Sequence, residues 1–474
     1  MPSLVNWNNE IKFDVPDNKF KKPSTIQEVQ HIIKQANADH AKVKVIGAMH
    51  SITPCFVGSD IVLSCGAMKK ILSLDEENLT VTVQAGVTLN QLCNYLEPLG
   101  YQSPVILEWG NFEYGAVSGT HANDSSLSDA AQVSSFVAGV KLVKSDGEMF
   151  EISEKENAQY LPVIRSHFGL FGVVCEVTLR IWPVRSLLFT YETQNIERFL
   201  DDFDGQMKRL RSTSDQAFAL LFQNVDTILI QHRKFQDVNK FPPHPLTNSL
   251  ESKAINLFTS LVLPATQALA GLNLSAHHAK ALSNFLVKGP LDALRGSEFT
   301  INPNDRGIMY AEHDPDFEFH DWAFPEAKWP GMVRAYRKLL ERFRAEHDFL
   351  ITLPTIVYFI KKDGNSLLSR SRNSDMVVVD PEHHDPRDVK WKLFRKAFGE
   401  LAIQHGGIPH INKTVEAALL WYAKACDQDA LRQYLDLRKH FDPRDMFLNE
   451  FFGEMFREHL KKGEGEDGAP RAEL

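Results

Sequence analysis

Between residues 24 and 37 (STIQEVQHIIKQAN) apolar residues return every three to four positions, and the run opens on Ser24, a good N-cap; the pattern predicts a helix. Three short apolar runs follow, KVKVIG at 42 to 47, IVLSCG at 61 to 66 and LTVTVQAG at 79 to 86, each of strand length and each ending in glycine. TLNQLCNYLEPLG at 88 to 100 returns to helical spacing and stops at Pro98 and Gly100. Residues 136 to 152 alternate about an SDG turn and predict a hairpin, and EVTLRIWPV at 176 to 184 predicts a strand that closes the unit. After Pro183 the character changes: 187 to 235 mixes strand and helix, 240 to 250 is a proline-rich connector, 331 to 346 is an amphipathic helix and 351 to 361 a buried strand. The mixture predicts an α+β fold, with no internal repeat.

With 474 residues the chain is too long for one ordinary core, so two or three domains are expected. Its composition, 43% hydrophobic and 24% charged, is that of a globular protein, and the net charge of −9 argues against nucleic acid as a partner. The five cysteines lack metal or CxxC spacing, which suits a reducing, cytoplasmic setting. No signal pattern opens the chain. The nearest approach to a membrane segment is 255 to 272, INLFTSLVLPATQALAGL, which reads as a packed helical hairpin or as an interfacial helix in peripheral contact with an intracellular membrane. EHHDP at 382 to 386 reads as an exposed turn rather than a metal site, and no metal is expected.

Three glycine-bearing segments carry the candidate chemistry. IGAMHS at 46 to 51 follows a strand, so successive N–H groups can face an anion. YGAVSGTHANDSS at 114 to 126 is rich in small residues that let a backbone approach a flat ring or a phosphate. HFGLFGVVCEVTLRI at 167 to 181 places Gly169 and Gly172 ahead of a strand. None is a GxGxxG turn or a phosphate loop with GK[ST], which disfavours a Rossmann dehydrogenase or an NTPase.

Taken with PSTIQEV at 23 to 29, AGVTLNQL at 85 to 92, PHINK at 409 to 413 and DPRDMFLN at 442 to 449, these segments resemble the vanillyl-alcohol-oxidase (PCMH) type of FAD-binding oxidoreductase, and within it the sugar-1,4-lactone oxidase and alditol oxidase branch. The resemblance implies a two-lobed FAD-binding domain over 14–187, an α+β substrate domain over 188–425 and a segment at 426–457 returning to the first domain; the polar, glycine-rich composition of 460–474 predicts a disordered tail. It implies an oxidase that takes a hydride from a CH–OH group, with oxygen or another acceptor as second substrate.

The resemblance also assigns residues. His50 stands where family members attach the flavin covalently, and Met49 stands where they have glycine. Ile46, Gly47, Ala48, Met49 and Ser51 are expected at the pyrophosphate. Gly110, Asn111, Gly115, Ser118, Gly119, Thr120, His121 and Asn123 are expected along the cofactor, with Ala122 in place of a glycine, and Gly172, Val173 and Val174 at the adenine end. The small Gly115 and Gly119 favour oxygen access. His410 and Lys413 close the PHINK segment near the flavin ring, where a lysine steadies negative charge and a histidine takes the hydroxyl proton or supports the wall. The substrate strand departs from the family's PVEVRF: Ile356 holds the glutamate position and Tyr358 the arginine position, with Ser369 downstream. Tyr358 offers a phenolic acid/base, a hydrogen-bond donor or plain core. Two substrate readings follow: a sugar lactone or alditol, or a less polar alcohol or phenolic metabolite that suits a site without that charged pair.

Overall fold

The structure, a computed structural model, describes residues 2–107, 109–243, 275–302 and 317–465. The first glycine segment leaves a three-stranded parallel sheet in which Ile61–Ser64 lies between Phe20–Lys21 and Val43–Ile46. Helix Ile26–Ala38 covers it with Val29, Ile33 and Ala36. Its N-cap is Thr25, whose hydroxyl accepts from Glu28 N, rather than the expected Ser24; the Ser24 N–H and hydroxyl instead meet the Glu28 carboxylate. Helix Leu89–Leu96 opens with a reciprocal capping box between Thr88 and Gln91.

Beside it stands a five-stranded antiparallel sheet, ordered Met149–Ser153, Val137–Val143, Val173–Arg180, Thr80–Gln84, Ile71–Asp75. The expected hairpin is its edge. Gly147 takes the left-handed turn position (φ +78°) that a side chain would strain, and donates to Lys144 O.

An eight-stranded antiparallel sheet runs Glu298–Ile301, Ser186–Asn195, Thr227–Gln236, Gln216–Phe222, Thr355–Ile360, Met376–Val379, Trp322–Pro325, Ile408–Pro409. Helices Trp329–His347 and Val389–Gln404 cover one face, packing Trp329, Tyr336, Phe394 and Phe398 against Val357, Phe359, Val377 and Val379. The alternate residues, Ile356, Tyr358, Ile360, Met376 and Val378, face the other way. Both faces of Thr355–Ile360 are therefore covered, which explains its unbroken apolar run. The second glycine segment docks on this strand, with Ser126 N donating to Phe359 O and Phe359 N donating to Ser125 Oγ.

The chain then returns to the first sheet. Val43 N donates to Met446 O, and Asn449 Nδ2 donates to the carbonyls of Cys55 and Val57. Helix Arg457–Gly465 occupies the start of the stretch expected to be a disordered tail from 460; residues 466–474 lie outside the described residues. So does 255 to 272, the segment read as a helical hairpin or interfacial helix. Among the described residues no helix is long and apolar enough to cross a membrane. EHHDP is not the exposed turn expected: Glu382 and His383 are buried in a strand paired with Glu318–Phe319, and His383 stacks on Trp391.

Candidate active site

A cavity with about 1710 Å³ of empty volume, its mouth included, opens between the glycine segments and the large sheet. Ile46, Gly47, Ala48, Met49, His50 and Ser51 line it, as do Gly115, Thr120, His121, Asn123, Gly172 and Val174. Tyr358, His410 and Lys413 complete the wall from the large sheet and the segment after it.

Other residues expected at the site stand behind this wall. Ser118 is fully buried with its hydroxyl 3.3 Å from His167 Nε2. Gly119 lies so close to the His167 ring that a Cβ would sit 1.9 Å from Cδ2. A Cβ on Gly115 would meet Ala85 at 2.7 Å. Neither glycine leaves room for a side chain. Val173 belongs to the core under the parallel sheet, Gly110 accepts from Asn90 N, and Ser369 accepts from Gln132 Nε2. Asn111 lies beside the His50 imidazole and opposes the fall in its pKa, and Ile356 packs in the sheet beside Asp380.

The pyrophosphate expected from the resemblance has a fitting receptor. Among the described residues, the N–H groups of Gly47, Ala48, Met49 and His50 meet no backbone or side-chain acceptor, leaving a row of donors at a strand end. Lys44, two residues into the same strand, turns into the cavity. Its Nζ is buried without a hydrogen-bond partner, 5.0 Å from the Phe452 ring centroid, and burial lowers its pKa to about 8. An unpaired buried ammonium is costly unless an anion joins it. A lysine inside the apolar run KVKVIG was the signal for it in the sequence.

Met49 adopts φ +55°, a conformation that costs an L-residue roughly 1–2 kcal/mol and that glycine, the family's usual residue there, takes freely. The loop is clamped by the N-terminal hairpin Ser3–Val5/Lys12–Asp14, whose connection sends Trp7 N to Met49 O and Asn6 Nδ2 to Ser51 O. The sequence reading missed this hairpin because it lies ahead of the recognisable motifs.

His50 presents a buried Nε2 without a partner, packs 4.6 Å from Phe112 (ring centroids), and has its pKa lowered to about 4, chiefly by burial. It is a neutral imidazole with a bare nitrogen in the cavity wall. His121 is also neutral, its pKa lowered to about 3 mainly by burial; Nε2 faces Leu368 O at 2.9 Å and Nδ1 has no partner. Tyr422, in a π-helical turn of the kind that often marks functional sites, places its hydroxyl 3.4 Å from the same Nε2. His410 has both nitrogens engaged: Asn412 N donates to Nδ1, so Nε2 carries the proton and donates to His121 O. It lines the cavity with both ring nitrogens held in place.

The far wall is aromatic. Trp7 meets Trp109 edge-on at 5.0 Å and stacks on Phe319 at 5.6 Å. The Lys413 ammonium lies 4.5 Å from the Phe319 ring centroid and 5.6 Å from that of Tyr358. Behind it are two buried carboxylates, with Nζ 3.3 Å from Asp380 Oδ2 and 3.5 Å from Asp321 Oδ2. Asp321 is also paired with Arg370 Nη1 at 2.6 Å. Burial pushes both acids up, but Arg370 and Lys413 outweigh it at Asp321 and hold that carboxyl well below the usual range. Asp380, with Lys413 opposing burial and Asp321 adding to it, rises to about 7. Neither Asp380 nor Arg370 was marked by any motif.

Comparison with known proteins agrees with this site. Residues 19–153 match the family described as FAD binding domain, and residues 177–455, more than half of the chain, match D-arabinono-1,4-lactone oxidase. The chain is similar to L-gulonolactone oxidase of Mus musculus (25% identical, covering 92% of this chain and 94% of that one) and of Bos taurus (24%, 93% and 95%). Its fold is similar to that of a solvent-stable cholesterol oxidase, with a TM-score of 0.75 over 96% of this chain and 97% of that one at 14% identity. The family match, the glycine segments gathered on one cavity and the donors and orphaned cation at its wall lead to one conclusion: the chain belongs to the D-arabinono-1,4-lactone oxidase family and is an FAD-dependent oxidoreductase that acts on carbon–hydroxyl groups.

Proposed function

We propose that this chain oxidises the hydroxyl-bearing carbon of a small ring alcohol or lactone that lies with an apolar face on Trp7, Trp109, Phe319 and Tyr358 and its hydroxyl at Lys413. The observation behind this reading is the Lys413 ammonium set into an aromatic wall, with Ile356 turned into sheet packing where the family carries a charge. Gly47 to His50 and Lys44 would hold the FAD pyrophosphate, and His50, with its bare nitrogen, would be the residue to attach the flavin covalently. When bound, FAD would supply the hydride acceptor, with oxygen as the second substrate. The aromatic residues exclude water and bury the substrate ring, while Lys413 orients the hydroxyl and holds charge as its proton leaves. We assign the FAD-binding domain to 14–187, the substrate domain to 188–425 and the returning segment to 426–457. Five buried free thiols fit a cytoplasmic setting.

The substrate is tested by anaerobic reduction of the flavin with sugar lactones and alditols against cyclic and aromatic alcohols. Faster reduction by the second group supports the apolar face. Faster reduction by the lactones supports a sugar lactone itself, the reading favoured by the lactone oxidase relatives.

Lys44 has its own test. In a His50→Ala background, where the flavin exchanges, Lys44→Met is expected to weaken FAD binding about 10- to 100-fold, the worth of roughly 1.5–3 kcal/mol for a hydrogen bond to a charged group. The apoprotein should not melt earlier, because the change removes an unpaired buried charge. A fluorescence titration with FAD reads the affinity; an unchanged value takes Lys44 out of the cofactor site.

A further inference from the structure

We propose that Asp380, seated directly behind Lys413, is the positioning residue that receives the substrate hydroxyl's proton by way of the Lys413 ammonium. The inference rests on the functional reading above. Asp380 and Ile356 exchange both backbone hydrogen bonds, Ile356 N to Asp380 O and Asp380 N to Ile356 O, each 3.0 Å. Directly opposed antiparallel residues send their side chains to the same face of a sheet. That face also carries Tyr358, which lines the cavity. Asp380 thus places a carboxylate one strand over from Ile356. It is fully buried and does not reach the cavity, so its outlet is Lys413 Nζ at 3.3 Å.

The groups around it divide the work. Arg370 neutralises Asp321, which leaves Lys413 shared between an acid that stays ionised and one that titrates. His320 N donates to Asp380 Oδ1 at 2.9 Å and fixes the carboxyl's orientation. The phenol of Tyr336, on the covering helix, feels the Asp380 charge, and burial keeps it protonated. His410 and His320 are neutral, their pKa values lowered by burial and, at His320, to about 3. Ionised Asp380 is therefore the available sink. As the substrate O–H bond breaks, its proton goes to Nζ while Nζ passes one to Asp380 Oδ2. The C–H bond breaks with both electrons leaving as hydride to the flavin, and the C–O single bond becomes C=O.

Asp380→Asn keeps the size and the bond from His320. Its rate of flavin reduction by a hydroxyl substrate is expected to fall about 10²- to 10⁴-fold, the usual worth of a general base. In the wild type this rate should rise with pH through about 7, where Asp380 ionises, and the rise should vanish in Asp380→Asn. Melting temperature supplies a reading free of turnover. A carboxyl whose folded pKa is raised contributes stability that is full below its unfolded value and is lost as pH rises through the folded one. The wild type should therefore lose melting temperature relative to Asp380→Asn between about pH 4 and pH 7. A pH-independent difference, or a variant that keeps the wild-type pH profile, overturns the inference. A wild-type flavin that no hydroxyl compound reduces overturns the functional reading and takes the inference with it, whatever the melting curves show.

Discussion

Lys413→Met is expected to slow flavin reduction by about 10²- to 10⁴-fold while leaving the flavin bound. Lys413 lies in the wall shared by the aromatic residues and His410 and takes no part in the Gly47–His50 donor row, so its loss leaves that row intact. On the proposed mechanism the change removes the charge that steadies the substrate oxygen as its proton leaves, and with it the link to Asp380, 3.3 Å from Nζ. Methionine fills the same volume against Phe319 and Tyr358, so the aromatic wall remains. Asp321 keeps its partner Arg370, whereas Asp380 loses the cation that lowers its pKa and becomes a neutral acid. The variant should thus fold, bind FAD and lose the rise in rate with pH. Stopped-flow reduction under anaerobic conditions measures this; a variant reduced as fast as the wild type removes Lys413 from the chemistry.

Gly119→Ala should abolish the flavoprotein rather than slow it. An added Cβ would stand 1.9 Å from His167 Cδ2 and 2.3 Å from Nε2. That ring cannot swing aside: it is buried, Gly169 N donates to its Nδ1 at 2.9 Å, and Ser118 Oγ lies 3.3 Å from its Nε2. Overpacking of this kind costs about 1–3 kcal/mol or more, and here it falls between two of the three segments that shape the cavity. Flavin content per mole of purified protein should drop to near zero, and His167→Ala in the same chain should restore part of it by clearing the space. A Gly119→Ala protein with full flavin content and an unchanged melting temperature would show that the segment relaxes without cost.

The parts legible in the sequence are those in which local chemistry and local conformation coincide. The glycine segments at 46 to 51, 114 to 126 and 167 to 181 line one cavity because the first leaves strand Val43–Ile46, the third leads into Val173–Arg180, and the second, after the short helix Tyr114–Val117, docks through Ser126 on Thr355–Ile360. Helix Trp329–His347 matched its predicted span to within two residues because its buried positions keep helical spacing. Alternation failed for Thr355–Ile360, where both faces are covered, so the sequence could not say that Tyr358 faces the cavity and Val357 the helices. The buried ion cluster was invisible for another reason: Asp321, Arg370, Asp380 and Lys413 come from four separate stretches, and only the sheet order makes them neighbours. EHHDP misled because histidine and proline suggest a surface turn, whereas His383 is held inside by Trp391 and by Asp388, 3.2 Å from its Nε2.

The most direct test of the cavity as a flavin site is acid precipitation of the purified protein and of His50→Ala. The wild type should be yellow with the colour kept in the pellet, and the variant's colour should pass to the supernatant. A wild-type protein that stays colourless even after incubation with FAD would contradict the assignment of this cavity to a flavin.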